Sequence, residues 1–275
     1  MESIKDDLKN IIRDSATKNI NYQKNLLKRY LQILILDFLY SHKTYSALFF
    51  YGGTCLAHCY GLPRLSEDLD FVDVKKNIQL SDLEKDIQKF FAAQTDLKIK
   101  TKLQKFRLYI KFPILKELGL ASNDESDLLF VKIEIFKGFD FCKKYTEEFM
   151  PLFLYNHSIL VRTFDLATLM ATKIRAVLNR RWEKTNKSGK ILIAVKGRDY
   201  FDLMWYLQQK VKPNLQCIEQ CNNLANLKKI LLTAVENVDA KSIQLDLEAF
   251  IDEHAFVKNT SKNIIAILKR EINNL

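Results

Sequence analysis

The chain has 275 residues, 48% hydrophobic and 28% charged, with only seven glycines and four prolines. That composition excludes a fibrous or disordered chain and is ample for one large or two modest hydrophobic cores. The formal net charge is +10, and its placement points to a polyanionic partner. Between Lys173 and Arg198 nine basic residues face Glu183 alone, which puts +8 of that charge in one segment.

In chain order, apolar residues recur at helical period from Ile4 to Asn19 and from Gln23 to His42, predicting two amphipathic helices. The N-terminus lacks the basic segment and apolar core of a signal peptide. The most apolar run, Leu31 to Tyr40, is broken by Gln32 and Asp37 and is too short to cross a bilayer. A cytoplasmic protein with no membrane partner is expected. Ala47 to Tyr51 reads as a buried strand that ends at Gly52-Gly53, and Thr54 to Tyr60 as a helix that stops at Gly61. Asp68 to Val74 is a strand, Leu80 to Ala92 a helix, and Leu97 to Leu103 with Phe106 to Phe112 a pair of antiparallel strands. Leu128 to Phe136 is another strand.

Around Phe139 to Tyr155 the pattern becomes irregular and includes Pro151, which places a domain boundary there. Ser158 to Arg162 is one last short strand. Beyond Asp165 the periodicity is helical: Asp165 to Arg181, Arg198 to Lys210, Leu215 to Leu224, Leu227 to Val238, and two shorter segments to Leu275. The expected class is α+β, with a mixed β-sheet and flanking helices in residues 1–155 and a helical bundle in 156–275. The five cysteines, Cys55, Cys59, Cys142, Cys217 and Cys221, form no CxxC pair. Reduced thiols packed in the core are expected rather than a zinc site.

The stretch from Gly52 to Asp70 carries the chemistry. Glycines let backbone N–H groups approach phosphate oxygens, and a helix N-terminus directly after them favours negative charge. Gly52, Gly53 and Thr54 are therefore candidate phosphate contacts, joined by Arg64 and Ser66 just upstream of two carboxylates. On a strand, Asp68 and Asp70 share one face while Leu69 and Phe71 share the other. Hard divalent cations such as Mg²⁺ take oxygen ligands, and two-metal sites hold their ions roughly 3.5–4 Å apart. In Val131 to Ile135 the apolar residues line one face and Lys132 and Glu134 the other, so Glu134 is the candidate third carboxylate.

Gly52-Gly53-Thr54 with Leu56, Gly61, Arg64, Ser66, Glu67, Asp68, Asp70 and Phe71 resembles the first motif of the AbiEii/MenT nucleotidyltransferases, part of the DNA polymerase β-like superfamily. Lys173, Val177 and Asp199, with Arg198-Asp199 followed by Asp202-Leu203, are similar to that family's later motif. The resemblance implies two Mg²⁺ ions held by Asp68, Asp70 and Glu134. It also implies an NTP contacted by Lys173, and Asp199 either as base or as the group that holds Lys173. Many members of the family are toxins of toxin–antitoxin or abortive-infection systems, and some extend tRNA ends. What it implies here is transfer of NMP to an acceptor hydroxyl, RNA and tRNA above all, and a cognate antitoxin as partner. Arg175, Arg180, Arg181, Lys184, Lys187, Lys190, Lys196 and Arg198 are the candidate acceptor contacts, since each neutralised phosphate releases counterions. Two other readings stay open: a small-molecule or protein acceptor, and a non-catalytic RNA- or partner-binding protein on a transferase scaffold.

Overall fold

The computed structural model describes residues 3–121, 126–180, 184–185, 191–193, 195–221, 223–236 and 238–275, with backbone alone for 184–185 and 191–193. The chain divides into two compact units, Met1–Phe139 with Glu148–Thr163, and Asp140–Glu147 with Phe164–Leu275.

The first unit opens with α1 (Ile4–Asp14) and α2 (Ile20–Ser41). Asn19 caps α2, accepting hydrogen bonds from the N–H groups of Asn21 and Tyr22 at 2.8 and 3.2 Å, which satisfies donors that the first helical turn leaves open. β1 (Phe49–Tyr51), α3 (Gly52–Cys59), β2 (Asp68–Asp73), α4 (Leu80–Gln94), β3 (Lys100–Gln104), β4 (Arg107–Pro113) and β5 (Leu128–Lys137) follow. β6 (Glu147–Leu154) and β7 (His157–Phe164) complete a seven-stranded sheet in the order β3-β4-β5-β2-β1-β7-β6. The sheet is mixed: β2 runs parallel to β5 and β1 to β7, whereas β1–β2, β3–β4 and β4–β5 are antiparallel.

Strand alternation decides what the sheet buries. Leu108, Ile110 and Phe112 of β4 and Leu129, Val131 and Ile133 of β5 are almost wholly buried. They share the core with Leu83, Ile87 and Phe91 of α4, and the Phe91 and Phe112 rings meet edge-on at 5.4 Å. Each such side chain adds roughly 1.5–3 kcal/mol on burial. The alternate residues of the same strands are left to form a second, polar face.

The second unit holds α5 (Leu166–Asn179), a short antiparallel pair β8 (Lys184–Thr185) and β9 (Ile191–Ile193), α6 (Gly197–Gln208), α7 (Leu224–Glu236), α8 (Ala240–Leu247) and α9 (His254–Asn273). Asp165 caps α5 by accepting from the Thr168 N–H at 3.1 Å. A Cβ on Gly197 would lie 2.8 Å from the backbone of Ile243, so this glycine sets how closely α6 and α8 pack.

Four expectations are corrected. The irregular stretch around Phe139 to Tyr155 contains the edge strand β6, which tolerates Pro151 because an edge strand leaves every second N–H unpaired. Leu215 to Leu224 is only a 3₁₀ turn, Leu215–Cys217. β8 and β9 are too short to show a period in the sequence. Cys142 and Cys217, 75 residues apart, form a disulfide instead of remaining reduced, because the segment Asp140–Glu147 folds into the second unit. Cys55 and Cys221 are free and buried, and Cys59 is free and half-buried. Among the described residues no helix is long and apolar enough to cross a membrane.

Candidate active site

The chain leaves β1 and turns directly into α3 at Gly52, whose φ of +80° suits glycine. Tyr51, the last strand residue, lies opposite Asp70 on β2. A Cβ on Gly52 would stand 2.5 Å from Asp70 Oδ2, and one on Gly53 would stand 2.5 Å from Arg64 Nη2 and 3.2 Å from Ser66 Oγ. The glycine pair thus brings bare backbone against a carboxylate on one side and a guanidinium and hydroxyl on the other. Buried Thr54 ties the elbow to β2 by donating its hydroxyl to the Asp68 carbonyl. Arg64 is buried and donates to the Leu65 carbonyl at 2.8 Å. The Ser66 carbonyl accepts from Gln32 of α2 at 3.0 Å.

Asp68 and Asp70 project from β2 on the polar face, while Leu69 and Phe71 between and beyond them are fully buried. The parallel register sets Asp68 opposite Lys132 and Asp70 opposite Glu134. Glu134 is in turn opposite Arg107 of β4. Three carboxylates therefore stand on one face of two neighbouring strands with two cations among them. Lys132 Nζ stands 3.0 Å from Asp68 Oδ2 and 2.6 Å from Glu134 Oε1, and Arg107 Nε stands 2.8 Å from the same Glu134 oxygen. Burial pushes the Asp68 carboxyl up, against the opposing pull of the Lys132 ammonium.

The donor chemistry of Asp68 and Asp70 fits a hard divalent cation, and the missing Cβ at Gly52 lets the Asp70 carboxylate lie against the backbone there. Glu134 is held instead by Lys132 and Arg107, and among the described residues no three ligands converge at metal-binding geometry. The Lys132 ammonium takes the place of a cation between Asp68 and Glu134.

In the second unit, Lys173 of α5 lies 2.8 Å from Asp199 Oδ1 and 2.8 Å from Asp202 Oδ2, both on α6. Arg180 Nη1 is 2.6 Å from Asp199 Oδ2. Asp199 and Asp202 are buried. Burial alone would raise the Asp199 carboxyl, but Lys173 and then Arg180 hold it well below the usual carboxylate range. Asp199 therefore pairs with Lys173 and Arg180. Asp202 shares that lysine.

Several of the basic residues expected at an acceptor are already matched. Arg175 makes a bidentate pair with Glu219 and stacks on Phe141, its Cζ 3.3 Å from the ring centroid. Arg198 pairs with Asp246 at 3.3 Å and covers the Phe250 ring. Lys196 is half-buried, and desolvation together with the neighbouring Arg198 brings its ammonium down to about 8. Arg181, Lys187 and Lys190, and the side chain of Lys184, lie outside the described residues. Reasoning from sequence missed Arg107 and Asp246. Lys132 was visible on the Glu134 face, but its pairing with Asp68 needed the register.

A glycine elbow beside paired strand carboxylates on a mixed sheet, in a chain whose helical unit sets a lysine against buried aspartates, defines a nucleotidyltransferase-type protein. Residues 37–268 match the family described as Nucleotidyl transferase AbiEii toxin, Type IV TA system. The chain belongs to this AbiEii nucleotidyltransferase toxin family. Among solved structures, it is similar to MenT4, a nucleotidyltransferase toxin from Mycobacterium tuberculosis H37Rv, with 11% identity, 96% of each chain covered and a TM-score of 0.52. It is also similar to JHP933 from Helicobacter pylori, with 19% identity, 92% of this chain and 94% of that one covered, and a TM-score of 0.50. At such identities the likeness is one of fold. No curated protein sequence matches the chain.

Proposed function

We propose that this protein is a Mg²⁺-dependent nucleotidyltransferase that moves NMP from an NTP to an acceptor hydroxyl of RNA, with a tRNA 3′ end as the favoured acceptor, and that it acts as the toxin beside a cognate antitoxin. The observation that carries this reading is the elbow itself: Gly52 and Gly53 lack side chains at the two points where Asp70, Arg64 and Ser66 approach. Packing alone would not call for a buried arginine and a carboxylate pressed against bare backbone.

In this reading residues 1–155 are the catalytic domain and residues 156–275 the helical domain. The N–H groups of Gly53 and Thr54, with Arg64 and Ser66, take phosphate oxygens, the guanidinium by charge-assisted hydrogen bonds. Asp68 and Asp70 would hold Mg²⁺, with Glu134 as third ligand once free of Lys132 and Arg107. Bound there, the metal would supply charge neutralisation for the triphosphate and the pyrophosphate. Lys173, oriented by Asp199 and Asp202, serves the triphosphate as a point charge. The acceptor oxygen bonds to the α-phosphorus, the bond from that phosphorus to the β-phosphate oxygen breaks, and pyrophosphate leaves. Positioning and charge stabilisation then supply the catalysis, with no covalent enzyme intermediate.

The test is incubation of the protein with each labelled NTP, Mg²⁺ and total tRNA. Label should enter tRNA with the wild type, and fall by at least about 100-fold with Asp68→Ala or Lys173→Ala. A wild type that labels nothing, indistinguishable from those variants, overturns the reading.

A further inference from the structure

The polar face that carries Asp68, Asp70 and Glu134 continues outward across β5, β4 and β3, and its composition changes there. Strand pairing places Lys111 opposite Phe130, Tyr109 opposite Lys132, Lys100 opposite Lys111 and Lys102 opposite Tyr109. Lys111, Tyr109, Phe130 and Lys132 alternate with the buried residues of β4 and β5, and the strand pairing sets Lys100 and Lys102 of β3 beside them, so lysines and rings share one surface that ends at the carboxylates. Phe130 is 45% exposed, and its ring centroid is 6.2 Å from that of Tyr109. Lys100 and Lys102 are exposed and Lys111 half-buried. Among the described residues no carboxylate pairs with any of these three lysines.

Fold stability does not account for this face. Like charges directly opposite each other on neighbouring strands are destabilising, and Lys100 faces Lys111. Lysines on an edge strand guard against unwanted strand pairing, which explains Lys100 and Lys102 on β3. It does not explain Lys111 one strand further in, nor rings left in water beside it. A row of lysines without a carboxylate partner beside exposed Phe130 and half-buried Tyr109 suits a strand of phosphates with unpaired bases, where each base stacks on a ring and the backbone follows the charge. The cations of the second unit offer a contrast, since Arg175, Arg180 and Arg198 each already hold a carboxylate.

Beyond the end of β4 and β5 away from Phe130, between the start of α4 and the β3–β4 turn, lies a recess of about 520 Å³ lined by Phe106, Phe136, Leu80, Ile135, Lys105 and Lys137 among others. Phe106 and Phe136 stand 4.9 Å apart, and Arg107 lies over the Phe106 ring. An apolar recess with two lysines among its lining residues has the chemistry of a nucleobase seat with phosphate contacts. Between this recess and Phe130 lie Arg107, Glu134, Lys132 and Asp68, so a strand laid along the face passes the carboxylates.

We propose that the open face of β3, β4 and β5, from Lys100, Lys111 and Phe130 through Tyr109 to Phe106 and Phe136, is the platform that holds the unpaired end of a polynucleotide acceptor. The proposal rests on the nucleotidyl-transfer reading for the word acceptor, and on the face alone for the binding.

The test uses the full chain and fluorescence anisotropy with three probes: a hairpin RNA with an unpaired 3′ end, its DNA counterpart, and a blunt duplex. NTP binding by calorimetry and nucleotide transfer are measured beside it. The combined variant Lys100→Gln, Lys111→Gln and Lys102→Gln should bind the unpaired end at least about tenfold more weakly. The slope of log affinity against log salt should fall by about 2, at roughly 0.7 for each single-strand phosphate that is no longer neutralised. Tyr109→Ala and Phe130→Ala should each cost about tenfold on the unpaired end and leave the duplex unaffected. NTP binding should be unchanged in all of these surface variants, which also reports that they fold. Relative affinity for the RNA and DNA probes identifies the sugar that the platform takes.

Unchanged affinity and salt slope in the lysine variant, or equal loss on the duplex in the ring variants, overturns the platform. If the wild type transfers nucleotide to RNA while the variants keep the same KM for RNA, the transfer reading stands and the platform falls. If unpaired ends bind through these residues and no NTP supports transfer, the platform stands and the transfer reading falls.

Discussion

Lys132 and Asp68 lie directly opposite each other on parallel strands, with the Lys132 ammonium 3.0 Å from Asp68 Oδ2. The same ammonium reaches Glu134, so one lysine neutralises two of the three site carboxylates. Burial raises Asp68 and Lys132 pulls it back down. Replacing Lys132 with Gln removes the opposing charge, so Asp68 should titrate at higher pH than in the wild type. Carboxyl ¹³C NMR against pH checks this, and an unmoved Asp68 resonance refutes it. The lost charged hydrogen bonds should lower stability by about 2 kcal/mol.

Gly52 and Gly61 separate backbone strain from site geometry. Both have positive φ, +80° and +73°, so alanine costs each of them roughly 1–2 kcal/mol of backbone energy. Only at Gly52 does the new methyl meet Asp70 Oδ2 at 2.5 Å; at Gly61 nothing lies within 4 Å. Gly52→Ala should therefore lower nucleotide transfer by about 100-fold, the effect of displacing a catalytic group by about 1 Å. Gly61→Ala should lose stability alone. Equal activity in the two variants, compared at matched folded fraction, contradicts the close approach.

Lys173 is the partner of two buried aspartates. Lys173→Met leaves Asp199 and Asp202 without it in the interior, a change worth about 3–5 kcal/mol. Asp199 is depressed in the folded state, so its contribution is present above the unfolded carboxylate value of about 3.9 and is lost as pH falls toward the folded value. The stability gap between wild type and Lys173→Met, measured by urea unfolding, should be widest near neutral pH and narrow below about pH 4. A gap constant from pH 7 to pH 3 contradicts the pairing.

His58 is a half-buried ring held neutral by desolvation and then by the charge of Arg29, which bring it down to about 3. Its Nε2 is 3.0 Å from Gln32 Oε1, and because the Gln32 amide nitrogen donates to Ser66, this ring nitrogen is the donor. The unfolded ring binds a proton below about 6.5 and the folded one does not until about 3. Between those values the unfolded state holds more protons, so stability rises with pH by up to about 1.4 kcal/mol per unit. His58→Gln should flatten that slope in urea titrations from pH 4 to pH 6.5. An equal slope in the variant assigns the acid sensitivity elsewhere.

The local signals were the legible ones. Strand alternation alone put Asp68 with Asp70 and Lys132 with Glu134, because a period of two is a property of the backbone. Gly52-Gly53 marked the turn, since few other residues accept its geometry. Pro151 concealed β6, because the sequence does not tell an edge strand from a loop. Cys142 and Cys217 gave no pairing signal across 75 residues. Asp246 looked like any helical aspartate, and only its place beside Arg198 distinguishes it.

By itself, then, the sequence determined the residue types, the faces they occupy along each strand and helix, and the family motif from Gly52 to Asp70. Only the tertiary structure decided which charges meet. Register across separate strands set Lys132 between Asp68 and Glu134, and packing of α5 on α6 set Lys173 against buried Asp199 and Asp202. The physical reason is that an ion pair depends on distances between segments that are remote in the chain, and local periodicity carries no information about them. The same register aligned Lys100, Lys111, Tyr109 and Phe130 on the face that leads to the carboxylates.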